Sequence, residues 1–179
     1  MTFSLSPFPG EESPPGLRIG GSIARRGDAL SLDCAFEGEL SRVAFPARAA
    51  RPERRNRLWE ETCLELFLAA AGSEGYLEFN LSPAGHWNVY RFDSYRAGMR
   101  EEEAIAAPPF RVSPEPGALR FTAALDLGGI FPDGTDAEAG ICAVVRDAAG
   151  NASHWALRHA GPRPDFHRRD GFVLKIPWG

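Results

Sequence analysis

Apolar and polar residues alternate with period two along most of this chain, in short runs separated by turn residues. A period of two is the signature of a half-buried β-strand. Candidate strands cover residues 18–24, 29–36, 41–45, 62–68, 76–82, 87–92, 110–112, 119–125, 139–146, 153–157 and 172–176. Gly, Pro, Asp and Asn punctuate the gaps between them, as in Arg26-Gly27-Asp28 and Pro132-Asp133-Gly134. Only residues 95–107 suggest a short helix, and Gly98 weakens that pattern. Residues 6–16 hold Pro7, Pro9, Pro14 and Pro15 and read as an irregular lead-in. About ten short strands with almost no helix predict an all-β protein, an antiparallel β-sandwich or jelly roll. The expected organisation is a proline-rich arm over residues 1–16 and one domain over residues 17–179.

Within the two best-defined strands the alternation sorts side chains onto opposite faces. Leu64, Leu66 and Leu68 point one way, and Cys63, Glu65 and Phe67 the other. In the next run Leu77, Phe79 and Leu81 share one face, opposite Tyr76, Glu78 and Asn80. The connection between the runs is short, so they are expected to form an antiparallel hairpin. Glu65, Glu78 and Asn80 then share a surface with Cys63, Phe67 and Tyr76. Acids and an amide beside aromatic rings suit a polar ligand; a solvated outer face is the other reading. Arg91 is expected close enough to offset the acids or to pair with Glu65, a pairing also open to Arg54, Arg55 and Arg57.

Length and charge narrow the function. A chain of 179 residues with 44% apolar and 25% charged residues is that of one globular domain. No apolar run approaches the ~18 residues of a membrane span. A net charge of −4 argues against nucleic acid as the main partner. Cys34, Cys63 and Cys142 form no disulfide framework or zinc motif and are expected to be buried free thiols. The N-terminal residues lack a basic segment followed by an apolar one, so a cytoplasmic location is expected. There is no phosphate-binding loop and no dinucleotide fingerprint, and no cofactor is expected. The expected partner is a small polar ligand, bound by a monomer or a weak homodimer.

The run Trp59-Glu60-Glu61-Thr62-Cys63-Leu64-Glu65-Leu66-Phe67-Leu68 resembles the W-E-x-D-x-V-E-I-F-I signature of family 9 carbohydrate-binding modules. Tyr76-Leu77-Glu78-Phe79-Asn80 stands where those modules carry an Arg-x-Asn strand. His154-Trp155, Pro164-Asp165-Phe166-His167 and Gly171-Phe172-Val173-Leu174-Lys175-Ile176 are similar to their closing pattern. The phrases around Trp59, Glu78, Trp87 and Pro164 look most like stand-alone bacterial DOMON-like proteins, over roughly residues 15 to 178. The resemblance implies a β-sandwich and a sugar ligand. It places Trp59 at the first of two tryptophans that sandwich the sugar, Glu65 at the glutamate and Asn80 at the asparagine. Two departures stand out: Glu78 occupies the arginine position, and Phe166 or His167 lies near the second tryptophan. DOMON-like domains that hold haem need axial Met and His, and here only Met1 and Met99 exist.

The binding residues expected are therefore Trp59, Glu65, Glu78, Asn80, Arg91, Phe166 and His167. An aromatic face suits the C–H side of a pyranose, while carboxylate and amide groups take its hydroxyls. Trp59 serves as that platform if partly exposed, and as a core residue if buried. Glu65 and Glu78 in direct opposition would stand about 5 Å apart, the spacing of a retaining glycosidase pair, which keeps hydrolysis open. His159, Asp165 and His167 are the candidate metal ligands, although Asp165 and His167 could equally brace the last loop. A domain that binds no ligand and serves as an interaction module is the third alternative.

Overall fold

The strands and their pairing follow from the alternation. The computed structural model describes residues 1–179 and contains no α-helix, only three short 3-10 turns. Its strands are β1 (Thr2–Pro7), β2 (Arg18–Arg26), β3 (Ala29–Glu37), β4 (Cys63–Ala70), β5 (Tyr76–Leu81) and β6 (Trp87–Phe92). They continue as β7 (Arg100–Glu101), β8 (Phe110–Glu115), β9 (Ala118–Asp126), β10 (Ala137–Arg146), β11 (Ala152–Ala156) and β12 (Leu174–Ile176). Every pairing between these strands is antiparallel. One layer runs β8-β9-β3-β2-β1 and the other β7-β6-β5-β4-β10-β11-β1. Strand β1 belongs to both: Thr2 to Leu5 pair with β2, and Ser6 and Pro7 with β11.

The main core lies between the layers. Ile19, Ile23, Leu30, Leu32, Phe36 and Phe121 of the first layer meet Leu64, Leu66, Leu68, Leu77, Phe79 and Val89 of the second. Each fully buried side chain of this size is worth roughly 1.5–3 kcal/mol of transfer free energy. The leucine face of β4 is thus the inter-sheet face, as its alternation predicts.

Three local expectations fail. Residues 41–45 do not form a strand: Leu40–Arg42 is a 3-10 turn, and only Val43 bridges, to Asp147. Residues 95–107 form no helix, because Arg96 (φ 52°) and Gly98 (φ 68°) sit in the left-handed region. The face of β4 and β5 opposite the core is not an open surface. Every residue from Cys63 to Ala69 and from Tyr76 to Leu81 is buried.

A second, smaller apolar cluster explains that burial. Phe67, Ala69, Tyr76, Tyr90, Phe92 and Cys142 lie on the outer face of the second layer and are covered by Phe172. Phe172 comes from the C-terminal segment that runs from β11 to β12. Its ring lies 5.6 Å from both Phe67 and Tyr76. Gly140 makes room for it, since a Cβ there would stand 3.1 Å from the Phe172 ring. Arg169 lies over the Phe172 ring and pairs with Glu138 of β10, pinning the cover to the sheet.

Candidate functional site

The cover is incomplete. Between it and the sheet lies a partly open cavity of about 350 Å³, at the small end of ligand pockets. Its lining includes Trp59, Glu65, Glu78, Phe166 and His167. Five of the seven binding residues expected from the sequence therefore meet at one place. Asn80, fully buried, lies beneath them and donates Nδ2–H to Glu78 Oε1 at 2.7 Å.

Strand register sets the acids. Glu65 on β4 faces Asn80 on β5, whereas Glu78 faces Phe67. The two glutamates are diagonal neighbours rather than directly opposed. The separation of about 5 Å expected for a retaining glycosidase pair does not follow from this register. Both residues are only 4% exposed. Glu65 makes no hydrogen bond to any protein group, and its carboxyl borders the cavity.

Trp59 sits on the 3-10 turn Leu58–Glu60, just ahead of β4. Leu58 is buried and anchors the turn, while Arg57 enters it at φ 63°. The indole is half-buried and meets Tyr90 of β6 edge-on, with ring centres 5.9 Å apart. Phe166 packs beside His154 of β11, also at 5.9 Å. Strands β5, β4 and β10 lie between β6 and β11, so Trp59 and Phe166 bracket the acids.

His167 is held by a chain of hydrogen bonds. The Arg96 backbone N–H donates to the Tyr76 hydroxyl at 3.2 Å, and that hydroxyl lies 2.8 Å from His167 Nδ1. When the Tyr76 hydroxyl donates to Nδ1, the proton of the neutral ring sits on Nε2. Nε2 lies 3.9 Å from Glu78 Oε2. Phe67 and Phe92 enclose the imidazole at 5.3 and 5.0 Å between ring centres.

Burial shifts the titrations. It raises the Glu65 carboxyl well above its ordinary range; repulsion from Glu78 adds to this and Arg96 opposes it. It pushes Glu78 up to about 7, against the pull of the Asn80 hydrogen bond and of Arg96. It pushes His167 down to about 4, helped by Arg96 and opposed by Asp165. At neutral pH the imidazole is therefore uncharged and the acid pair keeps protons that exposed carboxyls would lose. Beneath the pair, burial also drives the Cys63 and Cys142 thiols upward, and all three cysteines are buried and unpaired.

Arg91 does not join the site. Its partner on β5 is Leu77, so its side chain leaves the sheet on the core side, away from the glutamates, and it pairs with Glu102. Arg54, Arg55 and Arg57 hold Asn88, Glu53 and Glu60, so none of them pairs with Glu65. The three candidate metal ligands are not gathered either. His159 Nε2 lies 2.8 Å from the Ser6 carbonyl oxygen, outside the cavity lining, while Asp165 is engaged by Tyr95 and Arg96.

Arg96 is the cation that sequence reasoning missed. It lines the cavity and pairs with Asp165 at 2.9 Å. Against desolvation, hydrogen bonds from Tyr95 and Arg96 hold the Asp165 carboxyl below its usual range. Gly98, read as a helix breaker, was the available signal that residues 93–98 turn tightly. His154 also borders the cavity and is clamped by Glu11, whose carboxylate accepts its backbone N–H at 2.7 Å.

No protein-family model matches the chain, and no curated protein does. Solved structures do match. A candidate carbohydrate-binding protein from Bacteroides uniformis ATCC 8492 superposes with a TM-score of 0.72 at 16% identity, over 96% of this chain and 83% of that one. A family 9 carbohydrate-binding module from Caldicellulosiruptor kristjanssonii, in complex with glucose, superposes with a TM-score of 0.56 at 11% identity. That match covers 93% of this chain and 78% of the module. The all-β antiparallel sandwich expected from the sequence is thus the fold these proteins share. No helix is long and apolar enough to cross a membrane.

Proposed function

We propose that this protein is a non-catalytic binding module for a small carbohydrate, held in the cavity over Glu65 and Glu78. The observation that carries the reading is the Glu65 carboxyl: almost wholly buried, free of protein hydrogen bonds and bordering a cavity of about 350 Å³. Its oxygens face the cavity and can accept ligand hydroxyls, each hydrogen bond worth roughly 0.5–1.5 kcal/mol net. Trp59 and Phe166 offer apolar rings on either side for the C–H face of a pyranose. Asn80 holds Glu78 in place from below, and His167 lines the cavity beside it. The fold shared with a glucose-bound module supports the same reading. So does the DOMON-like resemblance.

Isothermal titration with a panel of monosaccharides tests it, using the wild type, Trp59→Ala and Glu65→Gln. Saturable binding that weakens at least tenfold in both variants is expected. Absence of binding to every sugar, or equal affinity in the variants, refutes the reading.

A further inference from the structure

The cavity contains three acids and one committed cation. Glu65 comes from β4, Glu78 from β5, Asp165 and His167 from the C-terminal cover, Arg96 from the turn after β6, and His154 from β11. Arg96 is paired with Asp165. His154 Nδ1 faces Glu11 Oε1 at 2.9 Å, so a carboxylate outside the cavity already engages that ring. Burial keeps His167 uncharged at neutral pH. Apart from the uncharged His167, 3.9 Å from Glu78, no basic side chain lies within ion-pair distance of Glu65 or Glu78, and Arg96 acts on both only from farther away. Glu65, nine-tenths buried and without a hydrogen bond, is the unpartnered group that borders the cavity.

We propose that the natural ligand carries a positive charge: an amino sugar whose ring ammonium sits against the Glu65 and Glu78 carboxyls. The inference rests on the carbohydrate reading of the same cavity and narrows it. An ammonium has three N–H donors and no acceptor, which matches Glu65, whose carboxyl accepts no hydrogen bond, and Glu78, which accepts only the one from Asn80. Hydrogen bonds between charged partners are about twice as strong as neutral ones. The rings of Trp59, Phe92 and Phe166 also line the cavity, and aromatic faces attract cations. A neutral hexose leaves the acid pair protonated. A cation makes ionisation of the pair favourable, so its binding expels a proton. A neutral sugar, which brings no charge to the pair, is expected to release a much smaller fraction of a proton.

The test is calorimetric titration at pH 6.5 with glucosamine, N-acetylglucosamine, glucose and ethylammonium, repeated in two buffers of different ionisation heat. Glucosamine is expected to bind at least tenfold more tightly than glucose or N-acetylglucosamine and to release up to one proton. Glu78→Gln is expected to reduce that preference to less than threefold. Equal affinity for glucosamine and glucose, or binding without proton release, overturns the inference and leaves the carbohydrate reading standing. Ethylammonium binding as tightly as glucosamine supports the cation and overturns the sugar. No binding by any of the four overturns both.

Discussion

Replacing Glu78 by Gln gives a pH-dependent gain in stability whose size follows from the burial of one carboxyl. Glu78 is 4% exposed and titrates near 7 in the folded protein, against an ordinary 4.5. The folded state therefore binds its proton more tightly than the unfolded chain does. Below about 4.5 both states are protonated and the contribution is fully present. As pH rises through about 7, the folded state must give up the proton, and the contribution is lost. Moving one carboxyl over that range corresponds to about 3 kcal/mol, a large share of a domain's ~5–15 kcal/mol. Glu78→Gln keeps the size and an Asn80 partner but cannot ionise. Its stability relative to wild type should rise by about 3 kcal/mol between pH 4.5 and 7.5. Loss of the repulsion that Glu78 exerts on Glu65 acts in the same direction. Urea unfolding at half-unit pH intervals measures the difference, provided the denaturant slope is unchanged. A constant difference from pH 4 to 8 would show an ordinary, hydrated carboxylate and refute the reasoning.

Three further outcomes follow from the site. His167 titrates near 4 against an ordinary 6.5, so its contribution is present above 6.5 and lost as pH falls toward 4; in His167→Gln, urea unfolding should show that this acid-side loss has gone. Trp59→Ala removes a half-buried ring and should cost about 1–2 kcal/mol, lowering the midpoint in thermal unfolding by about 3–6 °C while weakening sugar binding; a fall beyond about 10 °C makes Trp59 a core residue. Arg91→Gln breaks the partly exposed pair with Glu102, so it should cost about 1 kcal/mol in chemical denaturation and leave sugar affinity within twofold of wild type.

Much of this architecture was legible because strand parity is a local property. The alternation of β4 and β5 assigned Leu64, Leu66 and Leu68 to the core and placed Glu65, Glu78 and Asn80 on one face. Arg91 shows where parity was misapplied. Trp87 and Val89 share its side of β6, and both are core residues, so Arg91 had to point away from the acids. What no local pattern carried was the cover. Phe172 and the Pro164–His167 stretch reach the sheet through contacts far apart in sequence, such as Arg96 with Asp165 and Tyr76 with His167. A face that alternates like a solvated one is therefore buried, and burial is what displaces its titrations. Residues 41–45 failed for a related reason: Val43 finds only a single bridge, to Asp147, and one bridge does not sustain a strand.

The central claim is that a sugar enters the cavity beside Trp59 and Glu65. Four tryptophans give four indole N–H signals in a nitrogen-15 correlation spectrum. Trp87 and Trp155 are buried, and Trp178 lies beneath Arg25, away from the site. Titration with glucosamine or glucose should move the Trp59 indole signal saturably and leave the other three in place. Signals that do not move, or a shift centred on Trp178, would contradict the account.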